Sequence, residues 1–361
     1  MTVPAPDPLP PETRRVLETD GPMVAGEHLL LRVEHLARSQ PGKARSWGRD
    51  LARLQLDDEV MTACARWAGG AALYLGGEVA AAESTLRDAA DRFRAAGDPS
   101  AADRVRLLLV DLHGERFELD RARRLARRLD RSFRDRGDRE RAAAALLNLA
   151  CAEDAADHVA TARDLWRRAR RDLAPGSLRR LAADANLAGV AAMEGRFTEA
   201  ARELSRVASE ARTQGLDAFA LQAELNLAEV EFNSCQADAA LARWQNVIEQ
   251  ARATGHGAVL VTAAVDLAHA ELTLGDTSGA RRRVEPVLAT ARDLGLEREL
   301  VRALCLLATA DAAEGSTDGW RRTMLELRGR HHGVQRDLLL VEVAQLDPSC
   351  DPGAACRAAR R

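Results

Sequence analysis

Residues 185–215 read ANLAGVAAMEGRFTEAARELSRVASEARTQG, and the rhythm of this stretch decides the fold. Apolar residues recur at helical spacing up to Gly195, and a second stripe through Ala200 and Leu204 runs on to Gly215. Glycine suits the residue just past a helix because positive φ costs it nothing there. The stretch is therefore a helix pair, and it holds no residue suited to chemistry. Neither helix can bury its apolar stripe alone, so the pair needs neighbours.

The sequence supplies them. Anchored on Asn186-Leu187-Ala188, the pattern recurs at Asn148-Leu149-Ala150 and Asn226-Leu227-Ala228. It continues forward at Asp266 and Leu306 and backward at Leu108 and Ala68. Successive anchors lie 40, 40, 38, 40, 40 and 40 residues apart. Gly77, Gly195, Gly275 and Gly315 stand nine residues after their anchors. Ala82, Ala122, Ala162, Ala200, Ala240 and Ala280 stand fourteen after, where a small side chain lets the paired helices approach closely. Gly97, Gly137, Gly215, Gly255 and Gly295 stand twenty-nine after. The expected fold is all-α, a right-handed α-solenoid of about seven stacked antiparallel helix pairs.

Composition agrees. Of 361 residues, 46% are hydrophobic but only 3% aromatic, so the core is Ala, Leu and Val at closely spaced helices. The net charge of −3 gives no overall attraction to nucleic acid, which is not an expected partner. Only Lys43 among the 52 basic residues is a lysine, so abundant arginine is discounted as a functional signal. The six cysteines are scattered without a C-x-x-C, and no run of 18 apolar residues occurs. A reduced, cytoplasmic protein with no membrane contact is expected.

A helix pair with Gly195 at the turn, Ala200 five residues on and Leu204 four after that resembles the tetratricopeptide repeat, as do Gly275, Ala280 and Val284. The resemblance covers residues 60–332. Its period exceeds the usual 34 residues and is similar to the long arrays of bacterial signalling proteins. It implies first helices on a concave face, second helices on a convex face and a protein or peptide as partner. A non-enzymatic interaction scaffold is the expected function. The alternative is a sensory or autoinhibitory array serving a CHAT-type protease or a transcriptional regulator, in trans or within a larger chain.

The positions one before, three after and six after each anchor share a side of the first helix away from its Leu-Ala core. Trp67, Tyr74, Asp111, Glu229, Phe232 and His269 are the candidate partner-binding residues among them. Leu107, Leu147, Leu225, Val265, Cys151 and Cys305 fall on the same side, which makes the surface largely apolar with isolated polar points. The basic candidates there, Arg66, Arg104, Arg106 and Arg302, are too spread out to clamp a carboxylate. Five residues past the anchor stand Glu153, Glu231, Glu271 and Asp311, within ~40° of the buried leucine at 100° per residue. Pairing with an arginine of the following helix, such as Arg202, Arg282 or Arg322, is expected to neutralise them.

Two arginine-rich stretches, 121–141 and 163–180, fall on second helices. Without interleaved aromatics they read as solvated faces, with RNA or an acidic protein as the competing reading. The chain carries no phosphate-binding loop, nucleophile elbow or paired metal-binding histidines at helical spacing, so neither enzyme activity, metal nor cofactor is expected. Residues 1–20 are proline-rich and expected to be disordered. Residues 21–59 form a capping helix pair, 60–332 seven repeat units, 333–346 a C-terminal capping helix and 347–361 a disordered tail.

Overall fold

The computed structural model describes residues 9–39 and 41–330. Every regular element among them is helical. Three helices come first, α1 (Pro11–Asp20), α2 (Pro22–Ser39) and α3 (Pro41–Arg53). Four pairs follow: α4 (Glu59–Leu75) with α5 (Val79–Ala95), α6 (Pro99–Glu115) with α7 (Leu119–Asp135), α8 (Arg139–Ala155) with α9 (Val159–Asp172), and α10 (Leu178–Met193) with α11 (Phe197–Thr213). Then come α12 (Asp217–Asn233) with α13 (Ala237–Thr254), α14 (Gly257–Thr273) with the broken helix α15 (Thr277–Val284) and α16 (Leu288–Leu294), and α17 (Glu297–Ala313) with α18 (Thr317–Arg330). The chain divides into two compact units within α12, after Ala223.

In the first unit each first helix is buried around most of its circumference. α8, packed on α6, α7 and α9, buries Ala142 through Leu147 without a break. Second helices bury one stripe only: Ala122, Ala126, Leu129 and Phe133 on α7, at spacings of 4, 3 and 4. The alanines fourteen past the anchors are buried, 0–1% exposed, in both units. Trp320 takes that place in the last pair and is half-buried. Side-chain caps fix the starts of α4, α6, α8 and α10, through Asp58, Asp98, Asp138 and Ser177. Asp98 accepts from the Ala101 backbone N–H at 2.8 Å, and Pro99 opens the helix behind it.

Three departures from the expected pattern have local causes. Pro11–Asp20 is a helix rather than disordered chain. Proline opens its first turn, Val16 and Leu17 pack on the core, and buried Thr13 bonds His28 Nδ1 at 2.9 Å. The second helix of the sixth pair is broken by a 3-10 turn, Glu285–Val287, because Pro286 lacks an N–H and its ring clashes with the carbonyl four residues earlier. The 38-residue step arises where α9 stops at Asp172. Arg180 repairs that end, its guanidinium donating to the carbonyl oxygens of Arg170 and Leu173.

α3 crosses α4 at a pair of glycines. A Cβ on Gly69 would sit 2.9 Å from the Gly48 carbonyl oxygen and 2.7 Å from the Ala52 nitrogen, so the two backbones are in contact. The C-terminal capping helix and tail expected over 333–361 lie outside the described residues.

Candidate functional site

The inner faces of the first helices in the first unit carry a row of polar side chains, each linked to the next helix. On α4, the Tyr74 hydroxyl donates to Glu115 Oε1 of α6 at 2.7 Å. From α8, the Asn148 carboxamide donates to Asp111 Oδ2 at 2.7 Å and to the Leu107 carbonyl at 3.1 Å. The Asn186 amide of α10 lies 4.0 Å from Cys151 Sγ of α8. Half-buried Leu107 and buried Leu147 stand beside this row. The helical repeat produces the arrangement, since a 40-residue period returns each position to the same side of the next first helix.

The electrostatics of the row show enclosure. Burial, assisted by the Glu115 charge, pushes the Asp111 carboxyl up to about 8. Burial, with the Asp111 charge added, pushes the Cys151 thiol up to about 11 although water touches it.

In the second unit, Glu229 of α12 and His269 of α14 are both exposed. Enclosure and then the Asp266 charge raise the Glu229 carboxyl, while Arg302 and His269 oppose the shift. Arg302 of α17 reaches Asp266 of α14 at 2.6 Å. Half-buried Phe232 packs against Trp244, ring centres 5.8 Å apart.

Of the six candidate residues, Tyr74 and Asp111 join the polar row, and Glu229 and His269 share a charged cluster. Trp67 departs from expectation: it is 6% exposed, edge-on to Phe93 with centres 6.2 Å apart, and the Arg104 guanidinium covers it at 5.2 Å. Its size fills the space between α4 and α5, so its ring belongs to the core. Leu225 and Val265 are likewise buried. Sequence reasoning treated Asn148 and Asn186 as markers of the repeat and passed over Glu115. The recurring asparagine was the available signal, since a carboxamide has no reason to recur on a purely apolar face.

The acidic residues five past the anchors do pair with arginines, but with different ones. Glu231 holds Arg243 at 2.7 and 2.8 Å and Glu271 meets Arg283 at 3.2 Å, both from the following helix. Glu153 instead grips Arg123, and Asp311 grips Arg281, from second helices of the preceding pair. Arg202 and Arg282 are too exposed to reach the core carboxylates, and Arg322 is exposed as well. The four basic residues considered for a carboxylate clamp are all engaged: Arg66 with Asp88, Arg104 with Glu27, Arg106 with Asp103 and Arg302 with Asp266. Among the described residues no His, Cys, Asp or Glu set of three could hold a metal ion, and no helix is long and apolar enough to cross a membrane.

The sequence matches no protein-family model and no curated protein. Solved structures do match in fold. A Rap protein complexed with competence and sporulation factor superposes with a TM-score of 0.58 over 93% of this chain and 96% of its own, at 11% identity. NprR in complex with its cognate peptide NprX gives 0.56 over 93% and 95%, at 13% identity. The Rap conjugation gene regulator of plasmid pLS20, in complex with the Phr* peptide, gives 0.56 over 93% of each chain at 11% identity. Helix pairs, turn glycines, small contact residues and these superpositions agree that the chain has the fold of tetratricopeptide-like repeat proteins.

Proposed function

We propose that the chain is a non-enzymatic interaction scaffold that holds an extended peptide or helix of a partner protein against the inner faces of its first helices. The observation that carries this reading is the row Tyr74–Glu115, Asp111–Asn148 and Cys151–Asn186, which spans four successive first helices. Hydrogen-bonding side chains at regular intervals on a concave, partly apolar surface match the needs of an extended backbone with alternating side chains. The neighbours of like fold named as complexes with competence and sporulation factor, NprX or Phr* support a peptide as the occupant. In the second unit, Glu229, His269 and Phe232 would supply contacts of the same kind. That one neighbour is named a conjugation gene regulator favours a regulatory setting, in which the bound segment switches a signalling effector.

Selection from a displayed library of random 12-residue peptides tests the proposal. Wild-type protein should enrich a family of sequences that an Asp111→Ala, Asn148→Ala variant no longer retains, with both proteins equally helical by circular dichroism. Enrichment that survives these substitutions would place binding elsewhere and end this reading of the inner face.

A further inference from the structure

The outer side of the first unit holds a second feature of different chemistry. Between α7 and α9, over α8, lies a cavity of about 670 Å³. Leu146, Leu149 and Leu165 form its floor, and the stems of Arg127, Arg131 and Arg168 stand at its rim. Leu149 is two residues from Cys151, hence about 200° round α8 from the inner row. The Proposed function does not involve this surface.

Four arginines (Arg123, Arg127, Arg131 and Arg168) and three carboxylates (Asp130, Glu153 and Asp164) line the cavity, and the two helices that flank it are more unbalanced still. α7 carries seven arginines against three aspartates, and α9 five against two. The chain's general use of arginine in place of lysine does not account for this imbalance, because α11 matches three arginines with three glutamates. Arg123 is committed to Glu153 and Arg134 to Asp130 and Asp172. Arg127 and Arg131 project beside the cavity, exposed and without a carboxylate partner among the described residues. A net-negative chain thus carries a strongly positive strip, next to an apolar floor.

We propose that this cavity is a docking site for an acidic segment of a partner protein, with an apolar side chain seated on Leu146, Leu149 and Leu165 and flanking carboxylates on Arg127 and Arg131. Arginine forks bind carboxylates in two-pronged fashion, and the leucine floor supplies what a purely electrostatic strip lacks. RNA fits less well, because no aromatic residue lines the cavity to stack a base.

Fluorescence anisotropy with three labelled 15-residue probes tests this: five repeats of Glu-Glu-Leu, five of Glu-Glu-Ser, and a U15 RNA. The Glu-Glu-Leu probe should bind full-length protein at least tenfold more tightly than either other probe. Arg127→Gln/Arg131→Gln should weaken it about tenfold, as expected for two carboxylate contacts, while the control Arg202→Gln/Arg282→Gln should not. All four side chains are exposed, so the variants should keep the wild-type helical signal. Three results would overturn the proposal: no binding of Glu-Glu-Leu, equal binding of Glu-Glu-Ser, or affinity unchanged by Arg127→Gln/Arg131→Gln. U15 bound most tightly and released by the same substitutions would assign the strip to RNA instead.

Discussion

Cys235 occupies a turn position that is glycine in four of the seven pairs, and replacing it with glycine should stabilise the second unit. Its φ is 64°, in the left-handed region, as is the φ of 89° at Gly275 one repeat later. The two turns share their bonding: Cys235 N–H to the Phe232 carbonyl at 3.0 Å, Gly275 N–H to that of Leu272 at 3.0 Å. Cys235 is exposed and its thiol is free, so Cys235→Gly deletes no packing. The left-handed conformation costs an L-residue about 1–2 kcal/mol. Glycine returns about 0.5–1 kcal/mol of that through its freer unfolded chain. The net gain is about 0.5–1 kcal/mol, or roughly 0.2–0.5 M in urea midpoint at an m of about 2–3 kcal/mol/M. Gly275→Ala is the mirror experiment. No atom lies within 4 Å of a Cβ built there, so backbone strain alone should lower the midpoint by a similar amount. Urea titrations followed by circular dichroism at 222 nm measure both. A midpoint that falls for Cys235→Gly, or shifts of the same sign for the two variants, would refute the argument. Asp157→Gly should gain less, because aspartate tolerates φ 62°. Phe117→Gly should also gain less than Cys235→Gly, since the ring, though exposed, still covers some apolar surface that glycine would leave bare.

Asp111→Asn should raise stability at pH 9 by about 1–3 kcal/mol and have little effect near pH 3. The folded carboxyl is raised above its unfolded value, so its favourable contribution is complete below the unfolded pKa and is lost as pH rises toward about 8; thermal melts across pH 3–9 check the sign. Glu153 behaves oppositely. Arg123 first, and then His158, hold it below the usual carboxylate range, so its stabilisation is present above the unfolded pKa of about 4.3 and lost on acidification. Glu153→Gln should therefore destabilise at pH 7 but converge with wild type at pH 2–3, read by the same melts. Arg180→Ala should cost about 1–2 kcal/mol by leaving the last carbonyls of α9 without their donor, seen as a lower urea midpoint.

The fold was legible because spacing carries it. Anchors, turn glycines and contact alanines each recur with the helix pairs, and helix ends follow from glycine, aspartate and proline chemistry at fixed offsets. What escaped depended on a single residue overriding the pattern. Pro286 breaks a helix whose apolar phase continues through it, and α1 hides behind the prolines before it. Site residues were harder, because periodicity gives the side of a helix but not the depth of a side chain. Trp67 has the right phase for the inner face, yet an indole that large reaches Phe93 and is covered by Arg104. The acidic residues were correctly expected to pair, but which arginine arrives depends on side-chain reach between helices, which no spacing encodes. Cys235, Asp157 and Phe117 break the glycine pattern while keeping its backbone, a case where three-dimensional context overrides local preference.

The emptiness around the left-handed turns bears on how such a chain can grow. Gly195, like Gly275, has nothing beyond its chain neighbours within 4 Å of where a Cβ would stand, and the bond that spans the turn runs from the Arg196 N–H to the Ala191 carbonyl at 2.8 Å. Extra sequence spliced in at Gly195–Arg196 would give up that one bond and point into open space, leaving the packing of α10 on α11 in place. The turns are thus natural seams for grafted loops or whole inserted domains, and for circularly permuted termini, whereas the small-residue seams fourteen past each anchor admit nothing. An array of this kind can acquire new appendages at its turns while the helical frame that orders its surfaces stays unchanged.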